Sequence, residues 1–129
     1  MKSIAGVFLA AVNMLYASMF GGPIDGTAWE VKLKQEGLFH WSSQGDTLVF
    51  HGGKGLTVGE IAKGYAPALY NSKAEDGATA FTLVLAGKDR DAVEWAGRVQ
   101  GERIAGSVVV RGRDGTTRRF TFSGARKTG

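Results

Sequence analysis

The residues best suited to acid–base or metal chemistry are few and widely separated. The two histidines, His40 and His51, have no second ligand near them at the spacing of a zinc site. Cysteine is absent, which excludes disulfides and thiolate metal sites. The carboxylates are scattered over turns and outward strand positions, and no Gly-x-Ser-x-Gly nucleophile elbow is present. We therefore predict no catalytic residue, no metal and no cofactor for this chain.

The glycine-rich stretch GGKGLT, residues 52–57, contains a Gly-Lys pair like that of a phosphate-binding loop. Such a loop also needs an earlier glycine four residues before the pair and a long helix after it, because loop amides and helix N-terminus hold the phosphate together. This sequence has neither feature. It therefore predicts a tight turn at this point and no nucleotide site.

Two further sets of side chains are better suited to binding than to catalysis. Aromatic residues could line an apolar interior or fill it, and the ligand-binding candidates among them are Trp29, Tyr65, Tyr70, Phe81 and Trp95. From residue 98 onward, eight basic residues stand against two acidic ones, and the candidates for a basic outer face are Arg98, Arg103, Arg111 and Arg119. That face could bind an anionic lipid, a polysaccharide or nucleic acid, or it could be a solvated surface that discourages edge pairing.

Strands must position these side chains, because apolar and polar residues alternate from Gly26 onward. In TAWEVKLK, the residues Trp29, Val31 and Leu33 share one face, as in a half-buried strand. The alternation recurs in the runs DTLVFH, LTV, TAFTLVLAG, AVEWAGRVQ, RIAGSVVVR and TRRFTFSG. The region 59–78 is less regular and predicts a short helical turn at 59–63 with one more strand near Ala66–Tyr70.

These elements together predict an all-β protein. The 129 residues suffice for one domain, and the 20 glycines lie mostly between apolar runs, where they suit tight turns. A meander with one apolar face closes most economically into a barrel, because closure removes the sheet edges. We predict a single small antiparallel up-and-down β-barrel of seven or eight strands, preceded by a hydrophobic, signal-like N-terminal segment.

Turn lengths predict the register of the last three strands. A two-residue turn at 101–102 pairs Gly97 with Gly106, and a three-residue loop ending at Gly115 pairs Gly106 with Phe122. Gly115 then takes the left-handed position of a bulged turn. In this register the Phe122 ring covers both glycines, so packing rather than ligand binding accounts for them.

The first twenty residues differ from the rest of the chain. Lys2 precedes a mostly apolar run from Ile4 to Phe20, and no further charge occurs before Asp25. A short positive region followed by an apolar run is typical of a secretory signal peptide, while the run also reaches the lower limit for a membrane span. Three interpretations stay open: a cleaved signal, which we favour, a retained anchor through residues 4–20, and a buried N-terminal helix.

We accordingly divide the chain into residues 1–20, a signal peptide or hydrophobic anchor, and residues 21–129, the β-barrel domain. The expected location is periplasmic or secreted, with membrane anchoring through residues 4–20 as the alternative. Contact with a membrane is expected only if that segment is retained.

The stretch DGTAWEV, containing Gly26-Thr27-Ala28-Trp29, resembles the opening of lipocalin-like, or calycin-type, barrels. The family motif has one residue between the glycine and the tryptophan, and this chain has two. The resemblance implies that Trp29 packs where the chain enters the barrel, under an arginine near the end of the last strand, a position that Arg126 could occupy.

Two functions follow as expectations. The first is an exported, non-enzymatic, lipocalin-like binding protein that holds a small apolar ligand in the barrel mouth. The second is a filled barrel that serves as an envelope structural or interaction subunit, through its basic outer face or its N-terminal anchor. Its partner would be an anionic envelope component, and export argues against nucleic acid as the partner.

Overall fold

The computed structural model describes residues 22–37, 43–87 and 91–128. Within these ranges the chain forms β1 (Thr27–Gln35), β2 (Ser43–His51), β3 (Lys54–Thr57), α1 (Val58–Ala62), β4 (Ala68–Glu75), β5 (Ala78–Ala86), β6 (Ala92–Gln100), β7 (Arg103–Arg111) and β8 (Thr117–Arg126). Each strand pairs antiparallel with the next, and β8 pairs with β1 to close the barrel. The predicted all-β up-and-down barrel is therefore confirmed, with eight strands.

The alternation of residue types becomes an alternation of burial. In β1 the side chains of Trp29, Val31 and Leu33 are buried, whereas Glu30 and Lys32 are exposed. Because successive side chains on a strand point to opposite faces, every long strand contributes one row to the barrel interior. The interior is the hydrophobic core of the protein.

The register predicted for β6, β7 and β8 is confirmed. Gly97 pairs with Gly106, and Gly106 pairs with Phe122. In the β7–β8 connection the amide of Gly112 donates to the carbonyl of Thr116 at 2.8 Å, which leaves a three-residue loop. The last residue of that loop, Gly115, has a φ of +87°, in the left-handed region that favours glycine.

The paired glycines allow a close approach inside the barrel. A Cβ added to Gly97 would lie 2.8 Å from Cζ of Phe122, whose ring covers this position as predicted. A Cβ added to Gly106 would collide with the backbone of Ala96 and Gly97. Glycine at such positions lets neighbouring strands bend sharply, which a small closed barrel requires.

The region between β3 and β5 differs in part from the prediction. The helical turn expected at 59–63 is present as α1. The strand expected near Ala66–Tyr70 instead begins at Ala68 and continues to Glu75, where a turn at 76–77 leads into β5. The apolar alternation stops at Tyr70 because the later residues are small or polar, so the pattern could not mark the end of the strand.

The predictions for residues 1–20 and for His40 lie outside the described residues. In the part of the chain that the structure describes, no helix has the length and apolar character needed to cross a membrane.

Candidate functional site

The barrel end where β1 begins is closed by Trp29 and the turn before it. The indole is 1 % exposed, and its Nε1 donates a hydrogen bond of 2.9 Å to Oγ1 of Thr27. The Thr27 hydroxyl donates in turn to the carbonyl of Ile24, which is also buried. Arg126 is the register partner of Trp29 on β8, and its side chain is exposed. Because the single polar atom of the indole is already bonded, Trp29 has no free group with which to orient a ligand.

Asp25 fastens the same end of the barrel to the β2–β3 turn. Its carboxylate accepts hydrogen bonds from the amides of Gly52 and Gly53, at 3.0 and 2.9 Å, and from the Tyr70 hydroxyl at 3.1 Å. Burial first, and then the Asp25 charge, raise the pKa of Tyr70 above its ordinary value of 10.0. The hydroxyl of Tyr70 therefore stays protonated at neutral pH and serves to close this end.

Packed aromatic rings occupy the middle of the barrel. Phe50 lies edge-on to Phe81, with ring centroids 5.0 Å apart, and Trp95 lies against Phe122 at 4.9 Å. These four side chains are at most 3 % exposed. Rings at such separations are in mutual contact, so these side chains fill the interior at this level.

The five predicted ligand-binding residues therefore lie at three levels of the barrel. Trp29 and Tyr70 are at the closed end, and Phe81 and Trp95 are in the packed middle. Tyr65 is half-buried at the opposite end, where a Cβ added to Gly87 would lie 3.0 Å from its ring. The structure does not gather the five residues around one cavity among the described residues, and their role in binding stays a prediction.

Trp95 differs from Trp29 in its polar atom. The Trp95 side chain is 1 % exposed, yet its Nε1 has no hydrogen-bond partner. A buried N–H without an acceptor costs roughly 1–3 kcal/mol, so such groups need an explanation. This atom is the one unexplained polar feature that we find in the barrel interior within the described ranges.

The opposite end of the barrel carries α1, which Asp46 holds in place. Oδ1 of Asp46 accepts hydrogen bonds from the amides of Thr47 and Gly59, at 2.8 and 2.9 Å. The Thr57 hydroxyl caps the helix by accepting from the amide of Glu60 at 3.1 Å. Like Asp25, Asp46 is engaged in hydrogen bonds within the fold, which leaves it poorly placed to act as an acid or base.

All four predicted arginines lie on the outer face of β6, β7 and β8. Arg98 and Arg103 are near the closed end, whereas Arg111 and Arg119 are near the opposite end. Arg111 forms an ion pair with Glu94, while the other three have no carboxylate partner among the described residues. The predicted basic face therefore consists of two separated pairs, one of which is partly neutralised.

A hollow of about 950 Å³ lies on the outside of the barrel, across β7, β8, β1 and β2. We call it the outer groove. Most of its floor is formed by the small outward residues Gly45, Ala105, Ser123 and Ala125, Lys32 of β1 crosses that floor, and the rim is formed by Glu30, Arg103 and Val58. A second hollow of about 490 Å³, lined by Arg98, Gln100 and Arg103, shares Arg103 and Ala105 with it.

The sequence analysis did not predict the outer groove because it considered the charge of the outward side chains and not their size. The available signal was the size of the outward residues. Strands exposed to water usually carry long polar or β-branched side chains on the outer face, whereas neighbouring outward positions of β7 and β8 carry the small residues Ala105, Ser107, Ser123 and Ala125.

The remaining chemical candidates do not assemble into a site. His51 is exposed at the end of β2. Within residues 22–37, 43–87 and 91–128 no three histidine or acidic side chains come together as metal ligands.

The fold and the site thus define a class: a small antiparallel β-barrel with a packed core and a basic, grooved outer face. Comparison with known proteins finds no matching family model, no matching curated protein and no matching solved structure. The barrel is compatible with a lipocalin-like barrel, and no family match confirms that resemblance.

Proposed function

We propose that this protein is an exported, non-enzymatic interaction domain that binds an anionic component of the cell envelope through its outer face. The observation that carries the proposal is the packed interior: Leu48, Phe50 and Leu85 are fully buried in a core that leaves the outer surface as the place for a partner. The unpaired charges of Arg98, Arg103 and Arg119 supply the attraction for an anion.

The absence of catalysis is part of the same proposal. Its support is that the best-placed acidic groups, Asp25 and Asp46, and the Tyr70 hydroxyl already hold turns and helix ends together. Export is supported by the signal-like pattern of Lys2 and the apolar run from Ile4 to Phe20.

A second candidate function is favoured by one observation. The unpartnered Nε1 of Trp95 would gain an acceptor if a small, mostly apolar ligand placed one oxygen beside it. This is the carrier function, for which Trp29, Tyr65, Tyr70, Phe81 and Trp95 are the candidate residues. It requires the core to open, because the rings around Trp95 are in contact in the present arrangement.

The experiment that separates the two functions uses residues 21–129. An uncharged apolar probe, N-phenyl-1-naphthylamine, is titrated while tryptophan fluorescence is recorded, and retention on vesicles containing phosphatidylglycerol or on an acidic polysaccharide is measured at rising salt. We expect no saturable binding of the probe and a salt-sensitive retention on an anionic surface. Saturable binding of the probe at about one molecule per protein, lost in a folded Phe81→Ala variant, would contradict the interaction function and support the carrier function.

Charge variants test the surface directly. Changing Arg98, Arg103 and Arg119 together to glutamine should abolish retention at physiological ionic strength, because these arginines lack acidic partners. The matched control exchanges Glu94 and Arg111 with each other, which moves charges on the same face without changing their sum. Equal loss of retention in both variants would contradict the proposal.

A further inference from the structure

The floor of the outer groove is made of small side chains at matching positions on neighbouring strands. In the pairing register, Ala125 lies between Glu30 and Arg103, and Ser123 lies between Lys32 and Ala105. The hollow crosses β7, β8, β1 and β2 along the register row Ala105, Ser123, Lys32 and Gly45, a span of about 14 Å at the usual strand spacing. Three of these four side chains are small and leave a trough, and the Lys32 side chain crosses its floor on β1.

An inward glycine deepens the trough from below. Gly124 precedes Ala125 on β8 and pairs with Val31 of β1. A Cβ at Gly124 would collide with the carbonyl of Glu30, so only glycine allows β8 to approach β1 this closely. The backbone therefore fixes the floor of the trough at β8 and β1, whereas the long side chains of Glu30 and Arg103 form its edges.

Charge is distributed unevenly along the groove. Arg103 lies where the two hollows meet, and Arg98 lies diagonally across from it on β6, since Arg98 pairs with Ala105, two residues after Arg103. On the β1 and β2 sides the carboxylates of Glu30 and Asp46 line the groove together with Lys32, so the positive potential is strongest at the β7 end. Beyond β2, the apolar side chain of Val58 is 57 % exposed and lines the far end.

We propose that the outer groove binds a single-chain anionic amphiphile, with its phosphate-like head group between Arg98 and Arg103 and its apolar chain along the floor toward Val58. The inference deepens and rests on the proposed function, because it names the ligand of the same outer face. Two guanidinium groups suit a phosphate or sulfate oxygen cluster. The small floor residues, the aliphatic stem of Lys32 and the exposed Val58 can all contact an alkyl chain.

The ligand is a single amphiphile molecule bound in the concave groove. It is not a bilayer against which the barrel docks. A flat membrane surface would meet the long rim side chains before it reached the floor. The hollow of about 950 Å³ is of the size that small-molecule sites commonly have.

The test uses protein purified after expression of the full chain, in the processed form that the cell produces. Dodecyl phosphate below its micelle concentration is titrated by calorimetry, and the comparison ligands are octyl phosphate, dodecyl maltoside and inorganic phosphate. We expect one saturable site for dodecyl phosphate, at least about 10-fold weaker binding of octyl phosphate because four methylenes are missing, and weaker binding still of the other two.

Single substitutions locate the site. Arg103→Gln should weaken dodecyl phosphate at least tenfold, and Ala105→Leu should do the same by filling the floor. The matched control is Lys73→Gln, which removes an exposed, equally unpaired charge on β4 outside the groove and should leave the affinity within twofold. Circular dichroism of each variant shows whether the barrel has formed. Because all of the substituted residues are exposed, the variants should fold, and a loss of affinity can then be assigned to binding.

Three results would overturn the inference: equal binding of dodecyl maltoside, binding unaffected by both groove variants, or binding to phosphatidylglycerol vesicles with none to dodecyl phosphate. The last result would contradict only the amphiphile site and would still support the proposed function. If the protein bound neither vesicles, nor acidic polysaccharide, nor dodecyl phosphate, both the amphiphile site and the proposed function would be contradicted.

Discussion

The barrel has two unlike sides, a wall of long strands and a seam at the shortest strand. The wall runs β5–β6–β7–β8–β1–β2, and its strands pair along nearly their whole length. The seam is β3, which has four residues and meets β4 in only two register pairs, Lys54 with Leu69 and Gly55 with Ala68. The barrel is closed at both places, but it is held by different interactions.

Backbone ladders hold the wall, whereas the seam has few ladder bonds to β4 and is reinforced by side chains. The Asp25 carboxylate binds the β2–β3 turn and Tyr70 of β4, so it joins the three segments on which the seam depends. Asp46 and Thr57 fix α1, which continues the chain where β3 stops. A barrel can therefore close through a very short strand if polar side chains replace the missing ladder bonds.

The largest effect is expected in the wall, at Gly106. A Cβ in Gly106→Ala would meet the backbone of Ala96 and Gly97, which cannot move without disrupting the β6–β7 ladder. We expect the free energy of unfolding to fall by about 3 kcal/mol or more, measured by urea denaturation. The control is Ser107→Ala, at the next, exposed position of β7. A loss below about 1 kcal/mol in Gly106→Ala would show that the wall adjusts more easily than its register implies.

The second substitution weakens the seam and leaves the wall unchanged. Asp25→Ala removes the acceptor of two backbone amides and of the Tyr70 hydroxyl, for an expected loss of about 2 kcal/mol. Hydrogen exchange should accelerate in β3, β4 and the turn between β2 and β3, while β6 and β7 keep their protection. Glu102→Ala, an exposed change in the β6–β7 turn, serves as control. Uniform acceleration in all strands would mean that the seam and the wall open together.

Gly55 provides a third, smaller effect at the seam. A Cβ there would lie 2.7 and 3.0 Å from the two methyl groups of Leu83, a flexible but fully packed side chain. Gly55→Ala should therefore cost about 1–2 kcal/mol by overpacking. Shortening the neighbour in a Gly55→Ala/Leu83→Val double variant removes the clashing atoms. Its unfolding free energy should exceed the additive expectation by about 1 kcal/mol, and strict additivity would show that the two residues are not in contact.

The wall was the part of the fold that sequence patterns could predict. Its strands alternate cleanly, and its turns at 101–102 and 113–115 have lengths that the glycines mark, so the register followed. The predicted strand near Ala66–Tyr70 ends five residues before β4 does, because Ser72 and Ala74 interrupt the alternation of large apolar residues by which a strand is recognised. The hydrogen bonds of Asp25 join residues that are far apart in the chain, and no local sequence pattern predicts such contacts.

The candidate site was predictable only in part, for a related reason. The outward placement of Arg98 and Arg103 follows from strand parity, so sequence alone could assign it. The outer groove depends on how closely β8 approaches β1 at Gly124, which is a property of the closed barrel. The sequence also could not predict that Nε1 of Trp95 lacks a hydrogen-bond partner while Nε1 of Trp29 has one, because this difference depends on how the side chains pack.

The smallest effect is a change in pH dependence at the seam. The pKa of Tyr70 is raised in the folded protein by burial and by Asp25, whereas in the unfolded chain it returns to about 10. Below pH 10 the phenol is protonated in both states and its contribution is fully present. Above pH 10 the unfolded chain releases the proton first, so stability falls as the pH rises toward the raised folded value.

Tyr70→Phe isolates this effect, because phenylalanine keeps the ring packing against Phe50 and removes the titrating group. At neutral pH the variant should lose about 1 kcal/mol, the value of one hydrogen bond. Between pH 9 and 11 the difference between the two proteins should shrink, since only the natural chain loses stability through this phenol. Unfolding by urea across that range measures it. A constant difference would mean that the hydroxyl of Tyr70 ionises as readily in the barrel as in water, and that Asp25 holds the seam through the two glycine amides alone.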